Sequence, residues 1–336
     1  MNNTKQKIPS GTGFLLWSRW WESDPRPADY ESAALPLSPT GILPIITNKN
    51  TNVNEDCMKL TDIGYIKQLM AQNGASFKKK FGQNFLTSES ALEDIADNAC
   101  ENVLEIGPGI GSLTQKLCER ADRVLALEID SDLIPVLEQT LDGYDNVTVI
   151  EGDVMKLDLA SLCAEHFPFG EISVCANLPY YITTPILVKL LGCGVKFKSI
   201  TIMIQKEVAA RLCAAPGSAD YGSITAFISY YGTAKRLFTV PAGAFLPPPK
   251  VDSAVVRIDL YSEPPVNANP EMLFRVIEGA FAQRRKTLLN SLSSSLGDRT
   301  KEQIVSACER ASVDPAVRGE KLGLEEFARL TDELYD

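Results

Sequence analysis

The chain has 336 residues, 45% hydrophobic and 23% charged, a globular balance that excludes collagen, coiled coil and wholesale disorder. That length allows two domains, or one with an appendage, and a core that needs no disulfide or metal staples. Lys and Arg total 33 against 43 Asp and Glu, a net charge of −10, so binding to nucleic acid would need a local basic patch.

Residues 1–57 differ from the rest of the chain. They hold Pro9, Pro25, Pro27, Pro36, Pro39 and Pro44 and all three tryptophans, with no helical or alternating period. No basic segment leads an apolar core and a small-residue cleavage site, which argues against a secretory signal. The stretch is either a flexible, disordered leader or an extension ahead of the true start of translation at Met58, and the second reading is preferred. From Thr61 the pattern turns helical. Thr61 or Asp62 can cap, and Ile63, Ile66, Leu69 and Met70 share a face. The basic run Lys78-Lys79-Lys80 then leads into Phe81-Gly82-Gln83-Asn84-Phe85-Leu86.

Between residues 100 and 205 strands and helices alternate. Strands are expected at 103–106, 123–128, 146–150, 172–176 and 198–204, with helices at 112–120, 133–141 and 205–213. A further helix is expected after the fourth strand, with Thr184 as cap and Pro185 at its first position. This order predicts an α/β fold with a mostly parallel, doubly wound sheet, which binds ligands beyond the carboxyl ends of its strands. The uncharged stretch 172–188 contains Asn177, Pro179 and Pro185 and suits a buried strand and loop better than a membrane helix.

The single histidine, His166, lies in a polar stretch and reads as solvated surface. The eight cysteines form no CxxC pair. They read as buried small hydrophobes in a reducing, cytoplasmic compartment, with no metal site.

The chemistry concentrates at strand ends. The first strand runs into Gly107-Pro108-Gly109-Ile110-Gly111, where glycines permit a sharp turn and a close ligand approach. This is not the dinucleotide fingerprint, which wants glycine or alanine where Ser112 stands. The second strand ends in Glu128, whose carboxylate can accept both hydroxyls of a ribose. The third runs on to Asp153, which can accept from an adenine amine. Loop, Glu128 and Asp153 in register describe an adenosine pocket without a phosphate cradle, and so S-adenosylmethionine.

The fourth strand ends in Asn177-Leu178-Pro179-Tyr180. An exocyclic adenine amine is a poor nucleophile, because its lone pair is delocalised into the ring. The Asn177 side-chain oxygen and the Leu178 carbonyl can accept its two hydrogens and draw the nitrogen toward tetrahedral geometry. Pro179 fixes the turn, so that these acceptors are preorganised. The Tyr180 ring can stack on the base and face a developing cation.

These motifs resemble the ribosomal RNA adenine N6,N6-dimethyltransferases, specifically the small-subunit (16S) type. The resemblance covers about residues 60–330. It rests on FGQNFL at 81–86, EIGPGIGSLT at 105–114, NLPYYITTP at 177–185, MIQKEV at 203–208, FLPPPKVDSAVV at 245–256 and FAQRRKTLLNSL at 281–292. It implies a Rossmann-like S-adenosylmethionine-dependent methyltransferase domain over 58–266 and a smaller C-terminal helical RNA-binding domain over 267–336. It implies that Asn84, Leu86, Gly107, Glu128, Asp153 and Asn177 hold the cofactor, and that Asn177 to Tyr180, with Phe245, hold the target adenine. The implied reaction is transfer of two methyl groups to each of two adjacent adenines in the 3′-terminal hairpin loop of 16S rRNA. The partner is the small ribosomal subunit, and the enzyme works as a monomer without metal or membrane.

From about Asn267, Phe274, Ile277, Phe281 and Leu288 recur at helical spacing, with Arg284-Arg285-Lys286 inside that helix. Beside an RNA enzyme this run reads as phosphate contact, and with Lys78 to Lys80 and Lys250 it would give an acidic protein a basic face. Two other classes remain open on the sequence. One is an adenine methyltransferase acting on large-subunit rRNA or DNA. The other is a non-catalytic assembly or nucleic-acid-binding factor that keeps the fold.

Overall fold

The computed structural model describes residues 59–335, so Met58 and the proline-rich stretch before it lie outside the described residues. The chain forms two units. One runs to residue 206 and resumes over 237–257; the other takes 207–236 and 258–335. The helical region expected from residue 267 thus shares its unit with 207–236 and 258–266.

The first unit is built on parallel strands β2 (Asn102–Ile106), β3 (Arg123–Glu128), β4 (Val147–Glu151), β5 (Ile172–Asn177) and β6 (Phe197–Gln205). Each lies within one residue of its expected bounds. A preceding two-residue strand, β1 (Phe85–Leu86), stands outside this sheet. The parallel strands stand in the order β4-β3-β2-β5-β6. Three later strands, β7 (Gly232–Val240), β8 (Phe245–Leu246) and β9 (Ser253–Leu260), were not anticipated, and β9 and then β7 extend the sheet beyond β6. Every residue of β2 is buried, and the near-continuous apolar run reflects cover on both faces. Chain order runs outward one way through β3 and β4 and the other way through β5 and β6. The crevice of such a sheet therefore opens beyond the carboxyl ends of β2 and β5.

Helix α1 (Ile63–Gln72) begins at Asp62, whose side chain accepts from the Tyr65 N–H at 2.7 Å. Ile66, Leu69 and Met70 are buried, while Ile63 is 46% exposed and leaves the expected face. The buried residues pack with Leu60, Phe85, Ile110, Leu133 and Val136, so α1 lies against the glycine loop. Helices α2 (Glu89–Ala96), α3 (Ser112–Cys118), α4 (Ile134–Thr140), α5 (Leu159–His166) and α6 (Thr183–Gly192) complete the alternation. Thr184 does not cap α6. The helix starts at Thr183, two residues earlier than expected, where the Thr183 hydroxyl donates to the Pro179 carbonyl at 3.2 Å, and Pro185 falls at its third position. The short strands β1 and β8 pair antiparallel, Phe85 with Leu246 and Leu86 with Phe245.

The second unit is mainly helical. Helix α7 (Lys206–Leu212) enters it, and α8 (Ser223–Tyr231), α9 (Pro270–Phe281), α10 (Leu288–Ser295), α11 (Lys301–Arg310) and α12 (Leu324–Tyr335) form it. Its aromatic centre sets Phe274 against Phe227, Tyr230 and Tyr231, with ring centroids 4.8, 5.2 and 5.9 Å away. Asn269, Thr287 and Thr300 cap α9, α10 and α11. Arg284, Arg285 and Lys286 lie in the turn between α9 and α10 rather than within a helix. The spacing of Phe274, Ile277, Phe281 and Leu288 is met by two helices, the second restarted by the Thr287 cap.

Candidate active site

A cleft of about 830 Å³, open solvent included, lies at the carboxyl ends of β2, β3 and β5, lined in part by Asn84, Leu86, Gly107, Glu128 and Asn177 to Tyr180. Most of the residues singled out in the sequence therefore meet in one place.

Glu128 ends β3 and is 4% exposed. Its Oε1 accepts from the Asp130 N–H at 2.8 Å and its Oε2 from the Gly109 N–H at 3.0 Å. Each oxygen keeps a further lone pair for a ligand hydroxyl. Burial pushes its carboxyl up to about 7, with the Asp130 charge reinforcing the shift and the Asp130, Gly109 and Ile129 N–H groups opposing it. Gly107 has φ +70°, and a Cβ there would meet no atom within 4 Å. The turn thus requires glycine, and the space beside it is open.

Glu105, an acidic residue in the middle of the buried strand β2 and the first residue of the EIGPGIGSLT motif, also belongs to the site. It is 1% exposed and lines the cleft, and its Oε2 has no hydrogen-bond partner. Burial pushes it up to about 8, with Thr114 opposing and the Glu128 charge reinforcing the shift.

The 78–84 loop is fastened to the loop after β3. Lys78 Nζ donates to Asp130 Oδ1 at 2.6 Å and pairs with Asp132 at 2.6 Å. Gln83 Nε2 donates to Asp130 Oδ2 at 2.6 Å, and Gln83 Oε1 accepts from the Lys78 N–H at 2.7 Å. Asp130 is 1% exposed, and such a carboxylate is tolerable only when paired and hydrogen-bonded. Lys78, expected to belong to an RNA-facing basic run, is committed to this inner network. Gly82, at φ +60°, lets the loop press on the next motif, where a Cβ would stand 3.3 Å from the Tyr181 ring and 3.4 Å from Pro179.

Asn177 ends β5. Its Nδ2 donates to the Asn84 carbonyl at 3.0 Å. A carbonyl can only accept, so this contact fixes the amide: nitrogen toward Asn84, Oδ1 free. The Leu178 N–H donates to the Met203 carbonyl at 3.1 Å, and the Pro179 carbonyl accepts from both Ile182 and Thr183. The turn is held at three points. Tyr180 is part-buried, and its hydroxyl shares a 2.6 Å hydrogen bond with Ser253.

Two expected residues are not among those lining the cleft. Asp153, two residues past β4, is absent from the lining, and its side chain accepts from the Met155 N–H at 2.9 Å. Phe245 is 3% exposed and packs in the core with Leu86, Leu92 and Ile95. Successive strand residues face opposite ways, and in the two-residue β8 it is Phe245 that takes the core side. Among the described residues no group of three or more His, Cys, Asp or Glu is arranged for a metal, and no helix is long and apolar enough to cross a membrane.

The chain matches the family model for ribosomal RNA adenine dimethylases over residues 74–336. It is 48% identical over 281 residues to ribosomal RNA small subunit methyltransferase A of Geobacillus thermodenitrificans, covering 81% of this chain and 95% of the relative. With the protein of the same name from Streptococcus sanguinis it shares 46% identity over 285 residues, 82% and 98% of the two chains. Among solved structures, a dimethyladenosine transferase from Plasmodium falciparum aligns with TM-score 0.61 and 28% identity, over 73% of this chain and 95% of that one. The 23S rRNA methyltransferase ErmE aligns at 0.57 and 27%, over 75% and 100%. A fold with its cleft at the strand switch, the Asn177–Tyr180 turn and these relatives converge: the chain belongs to the ribosomal RNA adenine dimethylase family.

Proposed function

We propose that this protein uses S-adenosylmethionine to dimethylate N6 of two adjacent adenines in the 3′-terminal hairpin loop of small-subunit (16S) rRNA. The observation that supports the reading is the amide of Asn177, a cleft-lining residue whose nitrogen is held by the Asn84 carbonyl, which leaves Oδ1 as the acceptor. Two relatives at 46–48% identity carry a name specifying the small subunit, which supports that substrate.

The residues present fit an adenosyl cofactor. Glu128 keeps two acceptors for a ribose, and the Cβ-sized space at Gly107 admits a close approach. When bound, this cofactor supplies an electrophilic methyl group on a positively charged sulfur. The chain's own part is to orient the acceptor. Asn177 Oδ1 and the Leu178 carbonyl accept the two amine hydrogens, which frees the nitrogen lone pair for attack. The Tyr180 ring offers a stacking face, worth about 1–3 kcal/mol per base. That offsets part of the cost of drawing the base out of its RNA stack. The ring also faces the nitrogen as it becomes cationic. That cation sheds its proton readily, so no dedicated base is needed. The exposed Arg284-Arg285-Lys286 turn serves as a phosphate contact, positioning the RNA without reading its sequence.

The test is incubation of unmethylated small subunits, large subunits and duplex DNA with labelled cofactor, followed by mapping of the modified bases. Two adjacent dimethylated adenines in small subunits alone are expected. Label in large subunits or DNA would overturn the substrate assignment, and subunit binding without transfer would favour an assembly factor. Asn177→Ala is expected to slow turnover on the order of a hundredfold, the scale for losing one preorganised polar group.

A further inference from the structure

Ser253 opens β9 and is fully buried at the head of the apolar run Ala254-Val255-Val256. A hydroxyl in such a place is costly unless it is hydrogen-bonded. Its bond is the 2.6 Å contact to the Tyr180 hydroxyl. The residue beside it is held as firmly. The Asp252 carbonyl accepts from the Lys206 N–H at 3.0 Å, at the start of α7, and Asp252 Oδ1 accepts from the Ala242 N–H at 3.1 Å. Ser253 is thus a fixed point of the framework, and Tyr180 is tied to it.

We propose that Ser253 is a positioning residue for methyl transfer: its hydroxyl fixes the Tyr180 ring so that the aromatic face meets the target adenine. This rests on the stacking role proposed for Tyr180. The two ends of the 177–180 turn are then anchored from outside it, Asn177 by the Asn84 carbonyl and Tyr180 by Ser253. A tyrosine ring has two side-chain torsions, and pinning its far end removes most of their freedom. The hydroxyl therefore acts on the sheet side, and the face acts on the substrate. The FLPPPKVDSAVV segment thereby acts on the site through Ser253.

The test is a double-mutant cycle in single-turnover methylation of unmethylated small subunits, with cofactor affinity measured by calorimetry and folding by thermal melting. Ser253→Ala and Tyr180→Phe are each expected to slow transfer roughly three- to tenfold, the range for one lost hydrogen bond, with cofactor affinity unchanged. The double variant is expected to be no slower than Tyr180→Phe alone, because both substitutions remove one interaction. If Ser253→Ala does not fold, Tyr180→Phe reports the same bond from its other end, and a wild-type rate there would overturn the proposal. A wild-type rate for Ser253→Ala would overturn it too, as would losses that multiply in the double variant. Failure of the wild-type protein to methylate would overturn the reaction and this role together, whereas unmoved variants of an active protein count against the positioning role alone.

Discussion

Glu128 must be ionised to accept two hydroxyls, yet burial places its carboxyl at about 7. Cofactor affinity is therefore expected to weaken as pH falls from 8 to 6, since the arriving proton removes an acceptor. Stability runs the other way. The folded pKa lies above the ordinary 4.5, so this group's contribution to folding is full below about 4.5 and is lost as pH rises through 7. Glu128→Ala removes charge-assisted hydrogen bonds worth about 1.5–3 kcal/mol each and should lower cofactor affinity tenfold or more with the fold intact. Calorimetry across this pH range checks both, and an unchanged affinity would place the ribose elsewhere. Glu128, Asn177 and Tyr180 could be found in the sequence because strand ends and a proline turn mark their places. Asp130 and Ser253 could not. Their partners Lys78 and Tyr180 are 52 and 73 residues away, and nothing local announces such pairs.

At the scale of elements, the first described turns of chain already serve the site. Leu60 is 6% exposed, and its carbonyl accepts from the buried Ser112 hydroxyl at the start of α3. Asp62 then caps α1, which covers Ile110 of the glycine loop. A protein beginning at Met58 keeps all of these contacts and is expected to fold and methylate normally. Loss of soluble protein or of transfer in that variant would show that residues 1–57 are needed. The parallel strands were legible because each is a short apolar run closed by a turn signal. Strands β7, β8 and β9 escaped notice because they obey no such alternation with helices. β8 has only two residues, and its place depends on pairing with β1, far back in the chain. Helix α6 starts two residues ahead of the position that Thr184 and Pro185 mark, because the Pro179 carbonyl, a feature of the preceding turn, captures the Thr183 hydroxyl.

Across the whole molecule neither unit is continuous: the chain changes unit after residues 206, 236 and 257. A single cut cannot separate them. A fragment of residues 267–336 would leave Phe274 without Phe227, Tyr230 and Tyr231, aromatic contacts each worth about 0.5–1.5 kcal/mol beyond the area they bury. That fragment is expected to show no cooperative melt by circular dichroism; a sharp transition would mean that α9 to α12 stand without α8. The same division orders events during synthesis. The unit bearing the cleft has all its residues once Arg257 has left the ribosome, whereas the helical unit awaits α12, whose Leu334 carbonyl accepts from Arg299. At about 5–20 residues per second, the aromatic face of α8 spends several seconds outside the tunnel before α9 and α12 arrive to cover it. For that interval the nascent chain carries a nearly complete cleft-bearing unit and an uncovered apolar helix.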